Sequence, residues 1–184
     1  MLIRDATEAD LPALQAIYAH HVLNGVGTFE EVPPSVDDMA GRWAGVTRLG
    51  LPWLVAEDKG RPHEAKLWGY AYATPFRPRS AYRYVAENAV YVAHDAHRRG
   101  VGRALMEALI TRCEALGLHQ LMAVIGDSAN TGSIGLHSAM GFEQVGVFRD
   151  VGYKHRRWLD IVLMQKRLNR GDADEPEGPG LPLA

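Results

Sequence analysis

Two glycines, Gly100 and Gly102, separate an apolar, β-branched stretch at 85–93 from a run of helical periodicity that begins at Val101. This feature constrains the fold more than any other, because a strand must feed a helix through a turn lacking side chains at two positions. In such a turn, backbone N–H groups can converge on an anion, and the helix N-terminus adds its partial positive charge. Arg98, Arg99 and Arg103 supply cations around it. The turn therefore reads as a pyrophosphate site. It is not a P-loop, since no Gly-Lys-Ser/Thr follows, nor a dinucleotide fingerprint, since Leu105 stands where a third glycine is needed.

Helical and strand periods alternate around this turn up to about residue 168, which predicts one α/β (α+β) domain. Leu2-Ile3-Arg4 reads as a strand. Thr7 caps a helix running through His20, with Leu11, Leu14, Ile17 and Tyr18 on one face, and Ser35 opens a second helix from Val36 to about Arg48. Strands are expected at Trp53–Glu57, Leu67–Ala73 and Val85–Ala93, the first two joined by a polar turn at Asp58–Lys66. The helix after the glycines repeats apolar residues at Val101, Ala104, Leu105, Ala108, Leu109 and Leu116 and ends at Gly117. A buried strand at Gln120–Ile125, a helix near Asn130–Met140, and strands at 143–147 and 159–166 complete the domain. The tail from Arg170 to Ala184, rich in Gly, Pro and acid, is expected to bury little and to be disordered.

Of the 184 residues, 47% are hydrophobic, enough for one substantial core. Twenty basic against 22 acidic residues, a net charge of −2, give no general pull toward nucleic acid or anionic membranes. No apolar run is long enough to span a bilayer, and no signal-peptide pattern opens the chain. One cysteine, Cys113, excludes an internal disulfide and suits a reducing cytoplasm. It lies within a helical repeat as a packing residue. His94 and His97 are two possible metal ligands without a third, so no metal is expected, and no Gly-x-Ser-x-Gly elbow is present. The four tryptophans read as core or interface residues.

The loop His97-Arg98-Arg99-Gly100-Val101-Gly102-Arg103 resembles the pyrophosphate loop of the GNAT superfamily of N-acetyltransferases, Gln/Arg-x-x-Gly-x-Gly/Ala, with His97 at the position where Gln or Arg is usual. Val124-Ile125-Gly126, Asn130, His137 and Gly141-Phe142 resemble the second half of that fold. The segment Arg79-Ser80-Ala81-Tyr82, Glu87, Val90-Tyr91-Val92, and the late Gly152-Tyr153-Lys154-His155 with Trp158 and Asp160, are similar to the phosphinothricin acetyltransferase branch, which includes enzymes acting on methionine sulfone and sulfoximine. The resemblance spans about residues 2–168. It implies a twisted, mixed but mostly antiparallel sheet of about seven strands with about four helices, acetyl-CoA as co-substrate, a small amino-acid-like amine as acceptor, and a homodimer.

Acyl transfer to an amine needs an uncharged nitrogen, a polarised thioester and a stabilised leaving thiolate. Taken from the residues alone, Glu87 is either the solvent-facing member of an alternating strand or a carboxylate facing a cleft. Partial burial in a cleft would raise its pKa toward the working range. The resemblance makes it the base. The resemblance also assigns backbone N–H groups of Val90, Tyr91 and Val92 to the thioester and pantetheine, and Asn130, with Ser133, to the pantetheine arm. Seven residues beyond Asn130, where relatives often carry a tyrosine that protonates the thiolate, stands His137: a general acid or a packed helix residue. Phe76, Arg77, Arg79 and Tyr82 cluster before Glu87 and, with Asn88, are expected to border the acceptor, arginine forks suiting a carboxylate or phosphinate. Lys154 and Thr28-Phe29-Glu30 are expected nearby. The alternatives are an acetyltransferase for another amine, such as an ordinary amino acid or a protein N-terminus, and a noncatalytic CoA-binding module.

Overall fold

The computed structural model describes residues 1–58, 66–168, 175–176 and 178–183. The chain forms β1 (Leu2–Asp5), α1 (Leu11–Asn24), α2 (Val36–Arg48), β2 (Trp53–Glu57), β3 (Leu67–Pro75), β4 (Val85–Val92), α3 (Val101–Ala115), β5 (Gln120–Gly126), α4 (Thr131–Ala139), β6 (Glu143–Lys154) and β7 (Arg157–Arg167). The seven strands among the described residues make one sheet in the order β1-β2-β3-β4-β5-β7-β6. Every neighbouring pair is antiparallel except β4 and β5, which α3 joins as a parallel crossover. The expected mixed, mostly antiparallel sheet with four helices is the one found. The body of the expected turn at 58–66, residues 59–65, lies outside the described residues.

Alternation along β4 sorts the helices onto two faces. Tyr91 packs edge-on against Tyr18 of α1, ring centroids 5.0 Å apart, whereas Val92 and Gly102 of α3 meet on the opposite face. Between sheet and helices lie Leu14, Trp53, Tyr70, Leu105, Met106, Leu109, Leu121 and Met164, all 2% exposed or less. Fully buried Cys113 joins them, and burial pushes its thiol up to about 12, so it is a packing residue and not a nucleophile.

Thr7 does open the first helical segment, but as one 3-10 turn (Glu8–Asp10) that runs into α1, and α1 continues to Asn24 because Val22, 1% exposed, must still be buried. Ser35 opens α2 as expected, and Asp38 completes a capping box with it. The last hairpin is longer than the sequence suggests: β6 runs to Lys154 through two register shifts, and His155 and Arg156 turn it with φ of 50° and 62°. A two-residue turn with both φ positive usually draws Asn or Gly, neither of which is present, so the signal was missing.

The expectation that the tail buries little fails at its end, where Leu181 is only 6% exposed and joins the core.

Asp10 illustrates how β1 is fixed. It takes two bonds from the Arg4 guanidinium (2.7 and 2.8 Å) and two from Thr7, through its N–H (2.7 Å) and hydroxyl (2.9 Å). Burial pushes its pKa up, but Arg4 and Thr7 outweigh burial and hold the carboxyl below its ordinary value. Its contribution is therefore present above the ordinary carboxylate pKa and lost as pH falls through the lower folded value. Asp10→Ala should cost about 2 kcal/mol at neutral pH by urea denaturation, with the difference from wild type shrinking in acid.

Candidate active site

The sheet opens in the middle. β4 and β5 pair from Val85↔Gln120 only as far as Asn88↔Ala123. Beyond that, β4 follows β3 to Val92 while β5 follows β7 to Gly126. At the fork the Asn88 amide donates to the Met122 carbonyl (2.8 Å) and receives His137 Nε2 at 3.0 Å. Ala93 donates to Trp68 and Phe76 to the Val85 carbonyl, so odd-numbered residues of β4 turn their backbone groups toward β3. The N–H groups of Val90 and Val92 therefore face the gap, whereas that of Tyr91 is directed into the β3 ladder. Of the three amides expected there, two open onto the cleft. The carbonyl of Val92 is held by His21 Nε2 at 2.9 Å.

At the top of the gap the glycine turn behaves as its sequence suggests. Arg98 (φ 61°) and Gly100 (φ 75°) are left-handed, and the first bond within α3 runs from Ala104 N–H to Gly100 O at 3.0 Å. The N–H groups of Val101, Gly102 and Arg103 thus lack an intrahelical acceptor. His97, Arg98, Arg99 and Arg103 are exposed beside them. Gly102 has a second reason to be small, since a Cβ there would lie 3.1 Å from Leu136 Cδ2 and 3.6 Å from Val92 Cγ2, where α3 closes on α4 and β4.

Glu87 lies on the α1/α2 face of β4, half-buried and without a side-chain hydrogen bond among the described residues. Burial raises its pKa, and the guanidinium of Arg77 opposes the rise without cancelling it. Burial raises the pKa of the neighbouring Tyr72 hydroxyl, which also feels the charges of Arg42, Glu87 and Glu30. Phe76 and Tyr82 meet edge to face (5.8 Å), with Arg77 over the Phe76 ring (4.6 Å). Arg79 is exposed at the start of the one-turn helix Ser80–Tyr82.

His137 approaches from the α3/α4 face and does not share a face with Glu87. It is 3% exposed; Nδ1 lies 2.8 Å from the Ser133 carbonyl, and Nε2 faces Asn88 Oδ1. Both partners accept, so both are satisfied at once only by a doubly protonated ring, while burial lowers its pKa and favours the neutral one. Asn130 caps α4 through Ser133 N–H (3.2 Å) and donates to Gly126 O (3.3 Å). The side chain of Asn88, expected beside the acceptor, is engaged at the fork as described.

Residues 3–163 match the family model of the acetyltransferase (GNAT) domain. The chain belongs to the GNAT acetyltransferase family. It is 55% identical to a phosphinothricin N-acetyltransferase of Alcaligenes faecalis, over 95% of this chain and 86% of that one. It is 40% identical to an L-methionine sulfoximine/L-methionine sulfone acetyltransferase of Pseudomonas paraeruginosa, over 91% and 94%. Among solved structures it superposes with a TM-score of 0.92 and 44% identity on a GNAT superfamily phosphinothricin acetyltransferase from Sinorhizobium meliloti in complex with AcCoA, covering 98% of this chain and 95% of that one.

The donor groups of this acetyltransferase suit acetyl-CoA. Three free N–H groups and flanking arginines match a diphosphate, and two strand N–H groups in the gap match an extended amide-bearing arm.

The sequence did not single out the support behind the Thr28-Phe29-Glu30 loop. Thr28 hydroxyl, Tyr18 hydroxyl and Glu30 carboxylate form a chain of bonds (2.8 and 3.0 Å), and Arg42 grips Glu30 with two more (2.8 and 3.1 Å). Lys154, 3% exposed, donates to the Thr28 carbonyl at 2.8 Å. Phe29 fills the space left by Gly126 and Gly152, where a Cβ on Gly152 would come within 2.2 Å of its ring. Isolated glycines inside two strands were the available signal for that close approach.

Proposed function

We propose that this acetyltransferase moves the acetyl group of acetyl-CoA to the primary amine of a small amino-acid-like acceptor of the phosphinothricin, methionine sulfoximine or methionine sulfone type. Attack is direct, in a ternary complex, without an acyl-enzyme. The observation that carries this reading is Glu87: a half-buried carboxylate with no hydrogen-bond partner among the described residues, its pKa raised by burial, beside the fork of the sheet. The names of the relatives support the acceptor class, and the exposed Arg77 and Arg79 suit its carboxylate or phosphinate.

Acetyl-CoA supplies an acetyl group activated as a thioester. Glu87 takes the proton from the acceptor's ammonium, directly or through water. The N–H groups of Val90 and Val92 hold and polarise the donor end of the gap, while Val101, Gly102 and Arg103 N–H groups, with Arg98, Arg99 and His97, hold its diphosphate end. Phe76 and Tyr82 flank the acceptor. His137 is the general acid: its Nε2–H leaves Asn88 Oδ1 and passes its proton to the departing sulfur, and His137→Phe should lower kcat about thirtyfold with the acetyl-CoA Kd unchanged. Unaltered turnover would remove His137 from the chemistry.

A thiol-release assay of the purified protein against a panel of amino acids and analogues tests the whole reading. Phosphinothricin and methionine sulfoximine should exceed ordinary amino acids in kcat/KM. Tight binding of acetyl-CoA with no amine acetylated would favour a noncatalytic module.

The reading includes a homodimer in the cytoplasm, in keeping with the unpaired Cys113. β6 forms one edge of the sheet, and Phe148, Val151, Tyr153 and Trp158 of the last hairpin are each more than half exposed. A second copy covering them would remove both an open strand edge and an apolar patch from water. Trp158→Glu should shift the species seen by light scattering from dimer to monomer. A monomeric wild-type protein would end this part of the reading.

A further inference from the structure

The last described residues dock on the far end of the acceptor segment. Leu181 N–H donates to the Arg83 carbonyl (2.8 Å), and the Tyr84 hydroxyl donates to the Gly178 carbonyl (2.6 Å). Between these bonds Gly180 adopts φ 70°, and a Cβ on it would lie 2.8 Å from Arg83 Cγ, Arg83 O and Tyr84 Cε1. The backbone there touches β4's lead-in as closely as glycine alone permits. Pro179 and Pro182 restrict the chain on either side and so reduce the ordering cost of docking. Leu181 supplies the apolar anchor.

Arg83 and Tyr84 join the one-turn helix Ser80–Tyr82 to β4. Arg83 holds the Ser80 carbonyl through its own N–H and its guanidinium (both 3.1 Å), and the Tyr84 carbonyl accepts from His119 N–H (2.9 Å). Phe76 N–H and the Val85 carbonyl close the base of this loop at 3.2 Å. One leg of the loop is therefore clamped between the tail and the β5 lead-in. The loop carries Tyr82, the Phe76 ring against it, and Arg77, whose charge reaches Glu87.

We propose that segment 178–183 is a strap that positions the acceptor rim, with Leu181, Gly180 and Tyr84 as positioning residues that never touch the reactants. The proposal rests on the reading of Glu87, Phe76, Arg77 and Tyr82 as the acceptor site. Freeing the strap loosens the loop leg and weakens acceptor binding, while the 97–103 loop, which belongs to another part of the fold, is untouched.

The full-length variants Leu181→Ala, Gly180→Ala and Tyr84→Phe test it. Each should raise the KM for phosphinothricin about tenfold, with kcat within about twofold of wild type and the acetyl-CoA Kd unchanged. Amide hydrogen exchange across 79–84 should quicken about tenfold while that of 101–106 stays the same, a readout that needs no acceptor. A lowered Tm with unchanged KM and unchanged exchange at 79–84 would overturn the strap and leave the tail a merely stabilising segment. Tyr84→Phe removes a single bond at the surface, so it carries the test if Leu181→Ala does not fold. Wild-type turnover decides the acceptor reading independently, and the variant-to-wild-type ratios and exchange rates decide the strap.

Discussion

Glu87→Gln is expected to reduce kcat about a thousandfold and leave the affinity for acetyl-CoA as it was. The amide keeps the size of the carboxylate and breaks no hydrogen bond with described residues, so a loss of turnover reports the missing base and not a disturbed fold. A carboxyl whose folded pKa is raised favours the fold only while protonated, and that advantage disappears as pH rises through the folded value. At neutral pH the ionised group therefore costs stability, and the uncharged amide should raise Tm slightly even as activity is lost. In the wild type, kcat/KM should rise with pH along a limb displaced above the ordinary carboxylate range, because only the ionised form accepts a proton. That limb should be missing from the residual activity of the variant. A variant retaining most of its turnover, or an unchanged acid limb, would transfer the role of base to another group.

The fold was legible where local chemistry and tertiary packing agree. The strand, glycine turn and helix at 85–115 carry their own punctuation, and so do the Thr7–Asp10 and Ser35–Asp38 caps. Legibility failed where the determining contact is remote in sequence. Nothing local to residues 148–154 announces a strand that must bend through two register shifts to pair with β7. Leu181 lies in a proline-rich tail, and its burial depends on the core it joins and on a backbone bond to Arg83, nearly a hundred residues away in sequence. The site was legible in its residue types more than in its bonds. Glu87 is half-buried in a strand, which decides between the two placements its residues allowed, but strand alternation, which separates Tyr91 from Val90 and Val92, becomes decisive only once β3 is known to be the partner. The same alternation puts Asn88, and with it the His137 ring it bonds, on the face opposite Glu87. Asn88 and Asn130, expected among the ligand contacts, also have amides engaged within the fold, tying β4 to β5 and capping α4.

Gly102→Asp should raise the Kd for acetyl-CoA about a hundredfold, a loss of about 3 kcal/mol, with a much smaller change in the stability of the protein itself. The two effects have opposite electrostatic signs. An acidic residue in the first turn of a helix interacts favourably with the partial positive charge there, so α3 gains from the aspartate. A diphosphate bound to the same N–H groups would meet a like charge at short range and share the helix dipole with it. The steric part is smaller, since the new Cβ would press on Leu136 Cδ2, the free end of a side chain that can yield. Gly102→Ala isolates it and should weaken binding only about threefold. Ionic strength separates the two further: raising salt screens the exposed repulsion, so the gap between Asp and Ala variants should narrow, while wild-type binding weakens as its arginine contacts are screened. Calorimetric titration of the three proteins at two salt concentrations, with Tm measured alongside, tests each step. If the aspartate variant binds acetyl-CoA as tightly as wild type, the diphosphate does not lie on the first turn of α3, and the cofactor must enter the gap in another orientation.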